Sequence, residues 1–364
     1  MMKAADIALA RMYNQQVAQS NFTKPKDLVA YMGALQAQDY AMAKWAVGLR
    51  VPGSTKKEIE KSLNKGELLR AHVLRPTWHI IPANDIYWML ALSANKIKAL
   101  MRPMNKQLEL TEKIFTKSNA IIERCLVDGN DVTREEIATL LNKVRIHTRE
   151  NRLSHLLLRA ELDGIAYNGK SAGNKKTYAL LQHRVPKEKL ISKDASLALL
   201  ATKYFNSHGP ATLQDFSWWS GLNLTDARHG QEAIKGQFNC QKLDGREYWL
   251  NTEMPFHKMK KTADVHLLPA YDEFIISYKD RTAMLALEHH KKVLSSNGIF
   301  SPVIVAGGQV LGTWKRLFQK EEMMIEANYF HTPGKTLRSG IEKKVKALGD
   351  FHGKKASLVK SLHK

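Results

Sequence analysis

A pair of glutamines near the N-terminus has side chains that can do chemistry together. Gln36 and Gln38 are separated by one alanine within residues 35–40, LQAQDY. A glutamine amide cannot deprotonate water at neutral pH, but it donates and accepts hydrogen bonds, so two of them can hold a water and a polar substrate group. Residues i and i+2 lie about 200° apart on an α-helix, so a helix must end or distort here if both face one ligand. The spacing alone favours the ordinary alternative, a regular helix with both amides in solvent.

Further polar side chains could assist such a pair. Asp39 follows directly and either serves as an acid–base group or caps a helix, and we favour the cap. Arg75, Thr77 and His79 alternate along a predicted strand, so they share one face of it. That face could contact a phosphate and the substrate, and the alternative is a polar strand face in solvent.

Other catalytic schemes lack support. The sequence contains no HExxH, Cys-x-x-Cys or phosphate-loop motif. We interpret His289 and His290, and the spaced pair His147 and His155, as ordinary surface or core histidines, so we predict no metal and no cofactor. We expect Asp272 and Arg281 to form a structural ion pair, with DNA contact as the alternative.

The charge balance points to a polyanionic partner. The chain has 56 Lys and Arg against 35 Asp and Glu, a net charge of +21, and a pI of about 9.8. Such an excess favours nucleic acid. Residues 331–364 carry nine Lys and Arg against two Asp and Glu. We predict that Lys354 and Lys355 of this basic segment contact phosphates, and the alternative is a solvated tail.

Length and cysteine content restrict the class of protein. The 364 residues suggest two or three domains or an array of small repeats, with a core of ordinary size. Two cysteines, far apart, exclude a disulfide framework and a cysteine-rich zinc module. The first 20 residues do not resemble a signal peptide, and the longest uncharged stretch, 293–314, contains Pro and Gly. We therefore expect a cytoplasmic protein with no membrane partner.

The elements that must position these residues are mostly helices separated by short strand pairs. In the first predicted unit, 1–108, helices are expected at 7–19, 26–35, 41–49 and 54–65, and a strand or hairpin at 68–81. Ser54 is the predicted cap of the fourth helix. In the second, 109–190, residues 131–136 indicate a capping box. The expected elements there are helices at 118–127, 135–144 and 151–162 and a hairpin at 163–184 with turns at 168–170 and 172–174.

The third unit, 191–262, has the clearest pattern. Helices are predicted at 195–207, 213–220 and 226–236, followed by a hairpin at 238–250 around Asp244-Gly245. Three short helices and a two-stranded wing are typical of a winged-helix unit, whose third helix enters the major groove. The third helices of the second and third units therefore supply the predicted DNA contacts, unless a neighbouring repeat buries one of them. These contacts are Arg152, Arg159, Arg228 and His229.

The C-terminal part differs in character. Strands are predicted at 266–281, 303–312 and 323–330, with a turn at Gly307-Gly308, so region 263–335 should form a small sheet or barrel. The basic segment, 336–364, should contain a short helix. The predicted fold class is mainly α with short β wings: tandem winged-helix repeats plus a small C-terminal β-barrel-like region.

Five motifs in order resemble one family, the AlkZ-like winged-helix DNA glycosylases. These are bacterial proteins that excise alkylated bases and unhook crosslinks. The resemblance runs from about residue 5 to about 335. The motifs are 35–40 (LQAQDY), 75–79 (RPTWH), 209–222 (GPATLQDFSWWSGL), 268–281 (LPAYDEFIISYKDR) and 312–314 (GTW).

The resemblance implies a function and a site. The family signature Gln–apolar–Gln maps onto Gln36, Ala37 and Gln38, which makes Gln36 and Gln38 the expected catalytic residues. The implied enzyme is a monofunctional glycosylase that hydrolyses the N-glycosidic bond of N7-alkylguanine-type purines in double-stranded DNA. We expect it to be a nucleoid-associated monomer. The alternative is a non-catalytic winged-helix regulator, which would bind DNA without releasing bases.

Overall fold

The chain forms two compact units. The computed structural model describes residues 3–170, 175–187, 190–252, 259, 264–319 and 322–359. One unit comprises Met1–Glu60 and Leu197–Lys364, and the other comprises Lys61–Ser196. Within the described ranges no helix is long and apolar enough to cross a membrane. The second unit therefore interrupts the first in sequence.

Helices and strands alternate along the whole chain. The α-helices of the described residues are α1 (Ala4–Asn14), α2 (Pro25–Met32), α3 (Tyr40–Gly48), α4 (Lys56–Asn64), α5 (Ile86–Gln107), α6 (Glu112–Leu126), α7 (Arg134–Lys143), α8 (Arg152–Leu162), α9 (Leu181–Arg184), α10 (Lys193–His208), α11 (Leu213–Ser220), α12 (Leu224–Ala233), α13 (Glu273–Ile276), α14 (His290–Val293) and α15 (Lys335–His352). The strands are β1 (Leu35–Gln36), β2 (Leu68–His72), β3 (Trp78–Pro82), β4 (Val132–Thr133), β5 (Ala166–Asn168), β6 (Thr177–Leu180), β7 (Phe238–Leu243), β8 (Arg246–Asn251), β9 (Val265–Leu268), β10 (Val303–Ala306), β11 (Gln309–Phe318), β12 (Glu322–Tyr329) and β13 (Lys355–Val359).

Local side-chain caps set many helix starts. The predicted capping box of α7 is present, because Thr133 accepts from the Glu136 amide and Glu136 returns the bond. The cap of α4 is Thr55, which accepts from the Glu58 amide at 3.3 Å, so the assignment to Ser54 is wrong by one residue.

The second unit packs helices on a sheet. Its strands lie in the order β3-β2-β5-β6-β4. Leu156 of α8 is fully buried against Phe115 and Ile122 of α6 and Tyr178 of β6. The predicted hairpin 163–184 is confirmed for β5 and β6 but wrong at its end, where Leu181–Arg184 form α9. Its second predicted turn, 172–174, lies outside the described residues.

The third predicted helix–hairpin group lies in the first unit. Helices α10, α11 and α12 are followed by β7 and β8, which pair from Phe238↔Asn251 to Leu243↔Arg246. Asp244 and Gly245 have φ of +48° and +73°, as the two turn residues of a tight hairpin require. This hairpin is at the position the sequence predicts.

The C-terminal sheet is larger than expected. Its order is β13-β12-β11-β10-β9, and β13 pairs in parallel with β12. Gly307 and Gly308 form the predicted turn between β10 and β11. The predicted strand 266–281 is wrong after Leu268, because Asp272 caps α13 and the chain turns away from the sheet.

The basic C-terminal segment is packed rather than free as far as residue 359. Helix α15 has 18 residues and buries Ile341, Val345 and Leu348, and β13 then extends the sheet. Residues 360–364 lie outside the described part. The chain is therefore a mixed helical and sheet fold, with more sheet than the mainly α class that we predicted.

Candidate active site

Gln36 and Gln38 lie on the short connection between α2 and α3. Helix α2 ends at Met32, three residues before its predicted end, and Gly33 has a φ of +79°, which favours glycine. Gln36 ends β1, and Gln38 lies in the bend before α3. The break that the i, i+2 spacing requires is therefore present, and the alternative of a regular helix through both glutamines is wrong.

The two glutamines differ in exposure. Gln36 is 5% exposed, Ala37 between them is fully buried, and Gln38 is exposed. The small alanine fixes the middle of the motif in the core. Gln36 is thus part of the protein interior, whereas Gln38 is exposed to solvent, where a ligand can contact it.

Hydrogen bonds hold the main chain on both sides of the motif. The Gln36 amide donates to Glu273 Oε1 at 2.6 Å. Asp39 Oδ1 accepts from the amide of Met42 at 3.0 Å and so caps α3. The capping role that we favoured for Asp39 is confirmed.

Glu273 is a buried carboxylate with several donors. It is the first residue of α13 and 1% exposed. Its Oε2 accepts from Trp219 Nε1 at 3.0 Å and from the Ser277 hydroxyl, and His208 Nε2 lies 3.6 Å away. Burial alone would raise the pKa of Glu273, but His208, Ser277 and the Gln36 amide together lower it to about 2. The carboxylate is therefore ionised at neutral pH.

The neighbouring acid, Asp272, has a different partner from the predicted one. Both of its carboxylate oxygens accept from Arg50, at 2.8 Å each, and both side chains are buried. We predicted Arg281 as the partner, but Arg281 Nε donates to the carbonyl of Ile275 at 2.8 Å. Arg50 and Asp272 are 222 residues apart, so no local sequence pattern identifies this pair.

Two further side chains near Asp39 were missed. Arg316 of β11 has a guanidinium nitrogen 3.9 Å from Asp39 Oδ1. Burial, with the charge of Asp39, raises the pKa of Tyr271. Tyr271 lies within the LPAYD run and Arg316 lies two residues after the GTW run, and both runs carried the family resemblance. Glu273 had a weaker signal, a charged residue opening the otherwise apolar run EFII.

Arg75, Thr77 and His79 belong to the second unit and do not share a strand. Arg75 and Thr77 lie in the turn after β2, and His79 is on β3. His79 is fully buried, and its Nδ1 lies 2.9 Å from the carbonyl of Thr77. The predicted alternation is wrong, because the left-handed backbone at Leu74, with φ of +62°, turns the chain before β3 begins.

The two arginines predicted on α8 contact other protein groups. Arg152 donates to the carbonyl of His147 at 2.9 Å and to that of Leu108. Arg159 donates to Glu112 at 2.6 and 2.9 Å and to Asp163 at 2.8 Å, and its hydrogen bonds to Glu112 raise its pKa. Both side chains fasten α8 to its own unit.

In the first unit, Arg228 and His229 are exposed on α12. Arg228 lines a cleft of about 850 Å³. Basic and acidic side chains both line this cleft, namely Lys242, Arg246, Lys279 and Arg281 together with Asp215, Glu232, Glu247 and Asp280.

Lys354 and Lys355 lie at the start of β13. Lys355 has an exposed side chain, 3.7 Å from Glu322. The other two cations of the terminus, Lys360 and Lys364, lie outside the described residues.

One side-chain cluster in the described residues has metal-ligand chemistry. Glu288, His289 and His331 place ligand atoms within 4.8 Å of one another. The ammonium of Lys292 lies 5.3 Å from the Phe330 ring, which itself contacts His289. His289 Nε2 lies 3.3 Å from Glu288 Oε1, so these two side chains already contact each other, and the absence of a metal stays a prediction.

Known proteins resemble this chain over most of its length. The profile of a family described as DNA glycosylase AlkZ-like matches residues 29–351. The interstrand DNA cross-link repair glycosylase of Streptomyces sahachiroi is 25% identical over 325 residues, which cover 85% of this chain and 87% of that protein. The solved structure of the S. sahachiroi DNA glycosylase AlkZ has a TM-score of 0.81 at 20% identity, covering 98% of this chain and all of that one.

These matches confirm the resemblance inferred from the five motifs. The structural likeness shows a shared fold, and the profile match includes the glutamine pair. The chain belongs to the AlkZ-like DNA glycosylase family.

Proposed function

We propose that the chain hydrolyses the N-glycosidic bond of cationic N-alkylated purines, of the N7-alkylguanine type, in duplex DNA. One observation carries this proposal. The exposed part of the motif offers an amide, Gln38, while the nearest acids, Asp39 and Glu273, are occupied by a helix cap and a buried network. An alkylated purine already carries a positive charge, so it leaves without a strong general acid. What remains is to stabilise an oxocarbenium-like sugar and to place a water.

The two amides divide that work. We assign Gln38, which faces solvent, to the attacking water at C1′, because an amide can orient a water by donating and accepting hydrogen bonds. Gln36, which is nearly buried and held through its backbone, would hold the sugar or the base edge. Neutral bases such as uracil need protonation or strong charge stabilisation to leave, so they should be poor substrates.

Crosslinks extend the same chemistry. The S. sahachiroi relative is named for interstrand cross-link repair. A crosslink through purine N7 contains the same cationic N-glycosidic bond. We therefore include N7-linked interstrand crosslinks in the proposed substrate class.

We propose winged-helix DNA binding for two parts of the chain, 109–190 and 191–262. The order of elements supports this proposal. From α6 to β6 the chain forms a helix, a short strand, two helices and a hairpin, and from α10 to β8 it forms three helices and a hairpin. DNA contact is assigned first to Arg228 and His229 of α12, to Lys354 just before β13 and to Lys355, its first residue. Arg152 and Arg159 would contribute by holding α8, and Arg75, Thr77 and His79 stay predictions.

Three further regions complete the proposed architecture. Region 1–108 would be a further winged-helix unit bearing the glutamine motif, 263–335 the β-barrel-like region and 336–364 the basic segment. We propose that the enzyme acts as a monomer in the cytoplasm, at the nucleoid, where its DNA substrate lies.

Substitution of the glutamines tests the proposal. Gln36→Ala and Gln38→Ala should each slow single-turnover release of N7-methylguanine by about 10²-fold, since a misplaced water loses that much rate. Duplex affinity should stay, because it depends mainly on phosphate contacts. Gln107→Ala, at an exposed glutamine of α5, is the matched control and should release the base normally. If both motif variants excise at the wild-type rate, the pair is structural and the assigned mechanism fails.

A further inference from the structure

Glu273 has no step in the proposed chemistry, yet it touches the motif that does. Its side chain is 1% exposed, and a buried carboxylate is unfavourable unless donors surround it. The donors come from the motif connection, from α11 and from the residue just after α13. A carboxylate kept at this position should therefore have a role in accepting hydrogen bonds that an apolar side chain could not fill.

The Oε1 atom holds the main chain of the motif. The Gln36 N–H donates to it at 2.6 Å, across 237 residues of sequence. A hydrogen bond to a charged acceptor is shorter and about twice as strong as a neutral one. The peptide plane fixed in this way determines where the Gln36 side chain starts and in which direction the chain runs towards Gln38.

The Oε2 atom fixes the carboxylate itself. Trp219 Nε1 donates to it at 3.0 Å, the Ser277 hydroxyl donates as well, and His208 Nε2 lies 3.6 Å away. Burial lowers the pKa of His208, and the neighbouring carboxylate of Glu273 opposes that shift. His208 Nδ1 lies 2.7 Å from the Ser207 hydroxyl, which orients the ring. The carboxylate thus has little freedom to rotate away from Gln36.

We propose that Glu273 is a positioning residue for the glutamine pair: its buried carboxylate clamps the Gln36 amide, while the Asp39 cap holds the other end of the motif. This inference rests on the proposed function of Gln36 and Gln38. Catalytic groups must sit within about 0.5 Å of their productive positions, and a displacement of about 1 Å can cost 10²-fold in rate. Loss of the clamp should therefore lower the rate of base release rather than the affinity for DNA.

Two conservative variants distinguish the clamp from a purely structural acid. Glu273→Asp keeps the charge but withdraws the oxygen by one methylene, so the Gln36 amide loses its acceptor. Glu273→Gln keeps the reach and a neutral acceptor, although its NH₂ group cannot accept from Trp219. Single-turnover release of N7-methylguanine should fall by about 10-fold or more in Glu273→Asp and by less in Glu273→Gln. The dissociation constant for the duplex should change by less than about twofold in both.

Tyr204→Phe is the matched control. It removes a buried hydroxyl that donates to the carbonyl of Ser277 at 3.1 Å, and it leaves the Glu273 carboxylate in place. It should lower the melting temperature without slowing release, measured well below the melting temperature of each variant. Glu273→Gln has the size of the native residue and carries the test if Glu273→Asp does not fold.

The outcomes separate the two proposals. If Gln36→Ala and Gln38→Ala lose activity but the foldable Glu273 variants excise at the wild-type rate, the clamp is wrong and the proposed function stands. The clamp is also wrong if Tyr204→Phe slows release as much as Glu273→Asp does at equal loss of stability. If Gln36→Ala and Gln38→Ala both keep the wild-type rate, the mechanism fails and the clamp fails with it.

Discussion

Gln36 and Gln38 carry amides where hydrolases of neutral glycosides carry carboxylates. In this chain the nearest acids contact protein groups: Asp39 caps α3 and Glu273 accepts from Gln36, Trp219 and Ser277. This arrangement supports different roles for the two kinds of side chain: the acids hydrogen-bond to the main chain, and the amides contact the substrate.

Exchange of amide for acid tests that division. Gln38→Glu should retain measurable release of N7-methylguanine, because an exposed carboxylate can still orient a water and can accept its proton. Gln36→Glu should be far slower, because its side chain is 5% exposed and a charge there is costly to bury. Single-turnover rates at pH 7.5 on one labelled duplex compare the two. Equal rates for both variants would mean that exposure does not divide the roles.

At the residue scale, the sequence predicted what depends on near neighbours. The Asp39 cap follows from residues within a few positions, whereas the spacing of the glutamines alone favoured a regular helix where the structure has a break. The partners of Gln36 and Asp272 could not be predicted, since Glu273 and Arg50 lie 237 and 222 residues away. Folding brings such groups together by packing of distant elements, which a local pattern does not encode.

At the element scale, α8 and α12 occupy corresponding positions in their helix–hairpin groups but present their arginines differently. Arg152 of α8 donates to two backbone carbonyls, whereas Arg228 of α12 is exposed and lines a cleft. A charge reversal should therefore have different effects on the two helices.

We expect Arg228→Glu to weaken duplex binding and to reduce the slope of log affinity against log salt by about 1, with an unchanged melting temperature. Arg152→Glu should lower the melting temperature, because two carbonyls lose their donor. Fluorescence anisotropy at several salt concentrations, together with thermal melts, measures both. An unchanged salt slope in Arg228→Glu would remove α12 from the DNA-binding surface.

The elements also show where sequence patterns stop being informative. The turns at Asp244-Gly245 and Gly307-Gly308 were predicted because only a few residue types adopt their backbone angles. Helix α5 was not assigned, and Pro103 within it argues against a helix on sequence grounds. Strand β13 was missed because its place depends on β12, to which it adds in parallel.

At the scale of the whole molecule, stability should depend on pH through buried histidines. Burial lowers the pKa of His266 to about 4, and the charge of Lys344 adds to this. Unfolded histidine has a pKa of about 6.5, so the unfolded chain takes up the proton first as the pH falls. The stability from this residue is present above pH 6.5 and is lost progressively towards pH 4, about 2 kcal/mol between pH 7 and 5.

His266→Asn should therefore reduce the loss of stability between pH 7 and 5, as measured by urea unfolding at both values. His147→Asn, at an exposed position, is the control and should leave the pH dependence unchanged. The attribution to His266 would be wrong if its variant lost as much stability on acidification as the wild-type protein.

The net charge of +21 and the family membership both point to DNA, but neither identifies the reaction. The central claim is that this site releases bases which already carry a positive charge. It separates the enzyme from a winged-helix regulator, which would bind DNA and release nothing.

The most direct test compares two duplexes of one sequence, one with a single N7-methylguanine and one with a single uracil, under single-turnover conditions with the wild-type enzyme. Mild alkali converts each abasic site into a strand break, and incubation without enzyme corrects for spontaneous depurination. The account predicts cleavage at N7-methylguanine and none at uracil. Release of uracil at a comparable rate, or no release of N7-methylguanine by a protein that binds the duplex, would contradict it.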